Sequence, residues 1–213
     1  MIPYLDEHAP FPDVRSALSE PNGLLCAGAS LCPQRLISAY RCGIFPWYNE
    51  QEPLLWWSPD PRCIIQCDAM HVSRSMRRTL NKAVFDFTCN AAFEEVIRAC
   101  AAPREGQSGT WILPEMIEAY CALHTQGHAH SYECWRDNEL VGGVYGVRVG
   151  RIFCGESMFS RLSNASKAVL VYIARCTDTD IIDCQVPSDH VYSLGARCIP
   201  RQQFIAHLMA QAD

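Results

Sequence analysis

Apolar and polar positions sort the second half of the chain into regular elements. Three runs, 128–135, 140–149 and 152–159, read as strands in hairpin order, with Asp137-Asn138 and Gly150-Arg151 as the turns between them. Val169, Leu170, Tyr172 and Ile173 mark a helix over 165–176, for which Ser163 or Asn164 supplies a cap. Beyond it, Ile181-Ile182-Asp183-Cys184-Gln185-Val186 predicts one more strand. Alternation places Asp183 and Gln185 on one face of that strand and Ile182, Cys184 and Val186 on the other. A short helix over 189–194 and a last one opening at Pro200 complete this part. Upstream, Pro114 opens a helix that turns Ile117, Tyr120 and Leu123 inward and stops at Gly127, and Val72, Met76 and Leu80 define the face of another.

The N-terminal part has a different texture. Pro33 begins a helix with Leu36, Ile37 and Tyr40 on its apolar stripe and Gly43 as its stop. The run from Gly43 to Arg62 is then irregular and rich in proline and tryptophan, which suggests a binding edge. This order of elements predicts an α+β chain. Residues 1–65 would form a small N-terminal domain with an aromatic binding loop, and 66–213 a larger domain built on a mixed, mostly antiparallel sheet.

Composition narrows the classes. The chain has 213 residues, 49% hydrophobic and 19% charged, a balance that fills a core and excludes disorder. A formal net charge of −5 argues against general affinity for nucleic acid and leaves room for a local basic patch. The start, MIPYLDEHAPFPD, lacks the pattern of a secretion signal, and no apolar run reaches membrane-spanning length, so a soluble cytoplasmic protein is expected. The 13 cysteines form no C-x-x-C pair, so reduced thiols filling the core are expected, with no metal site.

Some polar residues stand out against this background. Arg74, Arg77, Arg78 and Lys82 share one helix face, which either grips phosphates or is a solvated surface. Trp47, Trp56, Trp57 and Trp111 are candidates for stacking on a base, with ordinary core packing as the alternative. Glu156 lies in an otherwise apolar strand, so it either pairs with an arginine such as Arg161 or awaits a cationic ligand. Cys184 with His71 or His190 could imitate a thiol–imidazole pair, yet no nucleophile elbow, phosphate-binding loop or dinucleotide fingerprint accompanies them.

The motifs GLLCAGASLCPQRLISAYRCGIFPWY, LLWWSPDPR, HVSRSMRR, GTWI, GHAHSYECW, LVGGVYGV, FCGESMFS, NASKAVL, IIDCQV, DHVYSLGA and IPRQQF follow one another in this order. Together they resemble the bacterial leucyl/phenylalanyl-tRNA–protein transferase family over Gly23 to Phe204. The resemblance implies a GNAT-like acetyltransferase-type domain. It implies transfer of Leu, Phe or, less readily, Met from aminoacyl-tRNA to proteins with N-terminal Arg or Lys, marking them for N-degron degradation. No cofactor is implied, since an aminoacyl ester is already activated, and a monomer is expected.

Carried over by position, Asp183 and Gln185 match the reaction centre, with Gln185 meeting the amine and Asp183 polarising or orienting Gln185. Trp47, Trp111 and Glu156 match the aminoacyl-adenosine site, and Val144, Met158, Leu170, Ile173 and Ile182 match the side-chain pocket. Asn164 and Ser166 are candidates for polar contacts, and the Arg74–Lys82 face would meet acceptor-stem phosphates. This chain departs from the family pattern at Gly28-Ala29-Ser30-Leu31-Cys32-Pro33, where G-G-D-L-S-P is usual, and at Val144 and Ile173, commonly Met and Phe. The alternatives are an acyl-CoA-dependent N-acyltransferase, which would want a pyrophosphate-binding Gly/Arg turn, and a binding-only module for tRNA or N-terminal residues.

Overall fold

Asp137 and Asn138 both adopt positive φ, 53° and 63°, the twist that suits a two-residue hairpin, and Gly150 does the same at 56° in the next turn. These turns set the register of the meander that builds the sheet. In the computed structural model, which describes residues 2–103 and 110–211, the meander comprises β7 (Ala129–Arg136), β8 (Glu139–Val149) and β9 (Ile152–Ser160). It belongs to a seven-stranded sheet with β6 (Asp86–Cys89) beside β7, then β10 (Ile181–Gln185), β5 (Arg62–Gln66) and β11 (Arg197–Ile199) beyond β9. Only the β9–β10 pair is parallel; every other neighbour is antiparallel.

Helices cover both faces. On one side α5 (Ala165–Cys176) buries Val169, Leu170 and Ile173 against Val144, Phe153 and Ile182. Gly142 makes this approach possible, since a Cβ there would lie 2.7 Å from that of Ala165. On the other side α3 (Phe93–Ala101) and α4 (Pro114–Thr125) pack Val96, Ile97, Met116 and Tyr120 against Tyr145, Val147 and Cys154. The layered α+β plan matches the expected class.

A second, four-stranded sheet is ordered β1 (Tyr4–Leu5), β2 (Leu24–Gly28), β4 (Leu55–Trp57), β3 (Phe45–Pro46). With α1 (Pro33–Arg41) it shares one apolar core with the large sheet: Leu36, Tyr40 and fully buried Trp56 sit in the same cluster as Tyr120 and Tyr145. Trp56, expected as a stacking candidate, is a core residue whose Nε1 donates to the Gly28 carbonyl at 2.9 Å. The strand opening at Arg62 pairs in the large sheet, so the expected boundary at residue 65 falls within β5.

The remaining helices start close to expectation: α2 (Arg74–Asn81), α6 (Asp189–Tyr192) and α7 (Arg201–Met209). The cap expected for α5 is absent. Asn164 holds the N-cap position at φ 71° without a side-chain bond, and Ser160 Oγ instead accepts the Ser166 N–H from six residues back at 3.2 Å. Strand β6 and helix α3 were not anticipated. Helix α3 has Ala92 at its N-cap, which offers no capping side chain, and no glycine stops it.

Candidate active site where two strands part

Pairing between β9 and β10 covers only Ile152–Ile181, Phe153–Ile182 and Cys154–Asp183, after which both strands continue without each other. Among the described residues their facing edges then have no ladder partner. Each strand also carries a bulge at the parting. In β9 the register against β8 shifts between Gly155 and Ser157, leaving Glu156 as the extra residue. In β10 it shifts against β5 between Asp183 and Gln185. Gln185 takes φ 62°, and the Val186 N–H folds back onto the Cys184 carbonyl at 2.7 Å. A left-handed conformation at a residue other than glycine is strained, and such strain clusters at functional sites.

These breaks overturn the two-face expectation for β10. A cavity of about 400 Å³ occupies the gap, and Ile182, Cys184, Gln185 and Val186 all contribute to its wall. Its apolar part includes Val144, Met158, Leu170, Ile182 and Val191, while Trp47 and Trp111 line it from the N-terminal part and the start of α4. Trp47 is 45% exposed; it stands against Trp57 at 5.5 Å between ring centroids, and Trp57 Nε1 donates to the Trp47 carbonyl at 2.6 Å. Ile173 is fully buried in the core around α5 and does not line the cavity, because its helical position turns it away from the opening. Asn164 does not reach the cavity either, and Ser166 lines a neighbouring one.

The polar residues form two linked groups. Asp183 is fully buried and accepts from Arg62 through both oxygens, from Nε at 2.8 Å and from Nη2 at 2.7 Å. Arg62, also buried, donates its Nη1 to the Gly43 carbonyl at 3.2 Å and lies 4.8 Å from the ring centroids of both Phe45 and Phe204. Burial works against its charge, but Asp183 prevails and the guanidinium pKa ends above its usual value. Asp183 Oδ1 also accepts the backbone N–H of Gln185 at 2.9 Å. Asp183 therefore anchors the strained backbone of Gln185 and makes no bond to its carboxamide; of the polarising or orienting role expected for it, this contact can serve only the orienting one.

The Gln185 carboxamide belongs to the second group. Its Nε2 donates to Glu156 Oε1 at 2.6 Å, and Tyr120 OH donates to Glu156 Oε2 at 3.1 Å. Tyr120 OH is bonded in turn to Tyr40 OH from α1. Burial raises the Glu156 carboxyl to about 7; hydrogen bonds from the Tyr40, Tyr120 and Gln185 side oppose the rise, and the Asp183 charge adds to it. Arg161 is not its partner, since Nη1 of Arg161 donates to the Leu140 carbonyl at 2.9 Å.

Cys184 makes no hydrogen bond to His71 or His190 among the described residues; its thiol points to the Ile182 carbonyl at 3.8 Å. Contact with Cys63 and burial push that thiol well above its usual pKa, which leaves it a poor nucleophile. Arg74, Arg77, Arg78 and Lys82 are all exposed on α2 and its C-terminal cap, and none forms an ion pair among the described residues. No set of three His, Cys, Asp or Glu side chains among those residues is placed to hold a metal ion. No helix there is long and apolar enough to cross a membrane. Sequence reasoning missed Arg62, Tyr40 and Tyr120. A cation opening the apolar run Arg62-Cys63-Ile64-Ile65 was the available signal for the first, whereas the tyrosines read simply as apolar stripe positions.

A mixed sheet opened between its one parallel strand pair, with an apolar cavity and a carboxylate–carboxamide pair in the opening, defines the class: an α+β protein with a ligand-sized site at the parting of two strands. The family model for leucyl/phenylalanyl-tRNA protein transferase matches residues 64–209, and that for its N-terminal domain matches residues 29–60. The chain is 54% identical over 208 residues to the leucyl/phenylalanyl-tRNA–protein transferase of Cellvibrio japonicus, covering 96% of this chain and 88% of that one. It is 52% identical over 211 residues to the protein of the same name from Chromobacterium violaceum, covering 98% and 91%. Among solved structures, Eis1 from Mycobacterium abscessus aligns with a TM-score of 0.44 at 12% identity over 65% of this chain and 38% of its own. L-PGS from Bacillus licheniformis aligns with a TM-score of 0.43 at 10% identity over 78% and 54%. The chain belongs to the leucyl/phenylalanyl-tRNA–protein transferase family, enzymes that move an aminoacyl group from tRNA to protein.

Proposed function

We propose that the protein transfers Leu, Phe and, less readily, Met from aminoacyl-tRNA to the α-amine of proteins with N-terminal Arg or Lys. It would act as a cytoplasmic monomer without a cofactor, and its products enter N-degron degradation. The observation that carries this reading is the Gln185 carboxamide, pinned by Glu156 at an apolar cavity of about 400 Å³.

The donor's side chain enters the apolar wall of Val144, Met158, Leu170 and Ile182, and the terminal adenine stacks on the exposed face of Trp47 beside Trp111. With Nε2 committed to Glu156, the carboxamide oxygen of Gln185 is the acceptor left for an N–H of the incoming amine. The amine nitrogen attacks the ester carbonyl carbon, and open backbone N–H groups of β9 beyond Cys154 face the developing oxyanion. Glu156, raised to about 7, takes the proton from the attached nitrogen. As the bond to the ribose oxygen breaks, that proton passes to the leaving oxygen, giving an amide and free tRNA. The exposed cations of α2 meet phosphates of the acceptor stem.

The test is transfer of labelled Leu or Phe from charged tRNA to a peptide with N-terminal Arg. Ester loss that is indifferent to the peptide would leave a hydrolase or a binding module instead.

A further inference from the structure

A second cavity, of about 720 Å³, adjoins the first and shares Met158, Ser188 and Val191 with it. Its polar side is the end of β9, with Ser160 and Arg161, and Ser166 in the first turn of α5. No carboxylate lines it among the described residues.

The start of α5 is unusually open. The helix runs twelve residues, and its N-cap Asn164 makes no side-chain bond. The Ala165 N–H reaches the Leu162 carbonyl and the Ser166 N–H reaches Ser160 Oγ, but the Lys167 N–H has no partner among the described residues. Helix starts leave such N–H groups for water, side chains or ligands, and together they carry about half a positive charge. Ser166 is 8% exposed, lines the cavity, and its hydroxyl is also without a partner among the described residues. Half-buried His190 lines the same space with its Nε2 unsatisfied. Arg161 uses only Nη1, on the Leu140 carbonyl, and its guanidinium lies 5.3 Å from the Phe159 ring centroid. Among the described residues, donors and positive charge surround this space without an acidic acceptor, which is the chemistry of a phosphate site.

Resting on the function proposed above, we propose that this cavity binds an internucleotide phosphate of the donor tRNA, next to the terminal nucleoside held in the reaction cavity. The Ser166 hydroxyl and the Arg161 guanidinium, both on its wall, are its donors. The charge excludes the acceptor, whose terminal ammonium and basic side chain would meet Arg161 and the positive end of α5. A route onward also exists. Lys167 Nζ donates to Ser193 Oγ at 2.8 Å and the His71 N–H donates to the Leu194 carbonyl at 2.9 Å. The segment flanking the cavity is thereby tied both to α5 and to the lead-in of the basic helix α2.

The experiment compares two donors, aminoacyl-adenosine and aminoacyl-cytidylyl-adenosine, which differ by one nucleotide and its phosphate. The parent protein is expected to favour the phosphate-bearing donor about tenfold in KM. In Ser166→Ala and Arg161→Met that ratio falls toward one, whatever each variant's overall rate. Calorimetric binding of cytidylyl-adenosine against adenosine reads the same difference without turnover, so failure of the transfer reaction itself would not mask it. An unchanged ratio in both variants overturns the proposal. So does a rise in acceptor-peptide KM with the donor ratio intact, which would give the cavity to the acceptor. Coenzyme A competing as strongly as cytidylyl-adenosine would assign it to a pyrophosphate cofactor and overturn it equally.

Discussion

Replacing Asp183 with Ala leaves Arg62 buried at 1% exposure with its two carboxylate bonds gone. Desolvating a lone guanidinium costs far more than the pair does, and removing one partner of a buried ion pair costs about 3–5 kcal/mol. Domains are stable by only about 5–15 kcal/mol, so the loss is a large fraction of the whole. For a chain of this size it corresponds to a fall of about 6–20 °C in melting temperature. Urea unfolding should show a lower midpoint with an unchanged slope. The companion is the double replacement Arg62→Met with Asp183→Leu, which removes both charges and should recover most of that stability. Turnover should not return with it, because the Gln185 N–H has lost its anchor at Asp183 Oδ1. An Asp183→Ala protein that unfolds at the parent's urea midpoint would refute the energetic argument. A double variant with parental turnover would refute the anchoring role.

Other consequences can be checked alongside. Since Glu156 must be ionised to take a proton and its pKa is raised to about 7, transfer should fall as pH drops through 7, and Glu156→Gln should lose activity and that limb together. Between its ordinary value of 4.5 and 7 the folded protein holds a proton the unfolded chain releases, so this group's contribution to stability falls as pH rises through that window; Glu156→Gln should be no less stable than the parent at pH 8. Tyr120→Phe removes a hydrogen bond that favours the carboxylate and should move the acid limb to higher pH. Arg77→Glu with Arg78→Glu should raise KM for charged tRNA, with a flatter salt dependence, and leave an aminoacyl-adenosine donor unaffected. Val144→Met fills part of the cavity wall and should lower the use of Phe relative to Leu several-fold in competition assays.

Much of this architecture was legible because its signals are local. The Asp137-Asn138 and Gly150-Arg151 turns, Pro33 and Pro114 at helix starts and Gly43 after a helix each act within a few residues of themselves. What was illegible is carried by partners far apart in the chain. Arg62 and Asp183 are separated by 121 residues and Tyr40 and Tyr120 by 80, so sequence could say that Asp183 needs a partner but not which one. The bulges at Glu156 and Cys184 had no mark either. Glutamine at positive φ follows no turn rule, and the strand pattern assumes an unbroken alternation. Family resemblance supplied the position of Gln185, while its bond to Glu156 came only from the folded chain.

The shared core has a consequence for heredity. Tyr40, Phe45, Trp47 and Arg62 all come from the first 65 residues, yet each touches the reaction cavity or the groups that hold it. A recombination event that exchanged this stretch between relatives would swap the partner of Asp183 and the far end of the Glu156 chain along with it. The two parts of the gene are therefore expected to be inherited as a unit, and a hybrid should work only when both sides of the Arg62–Asp183 and Tyr40–Tyr120 contacts match.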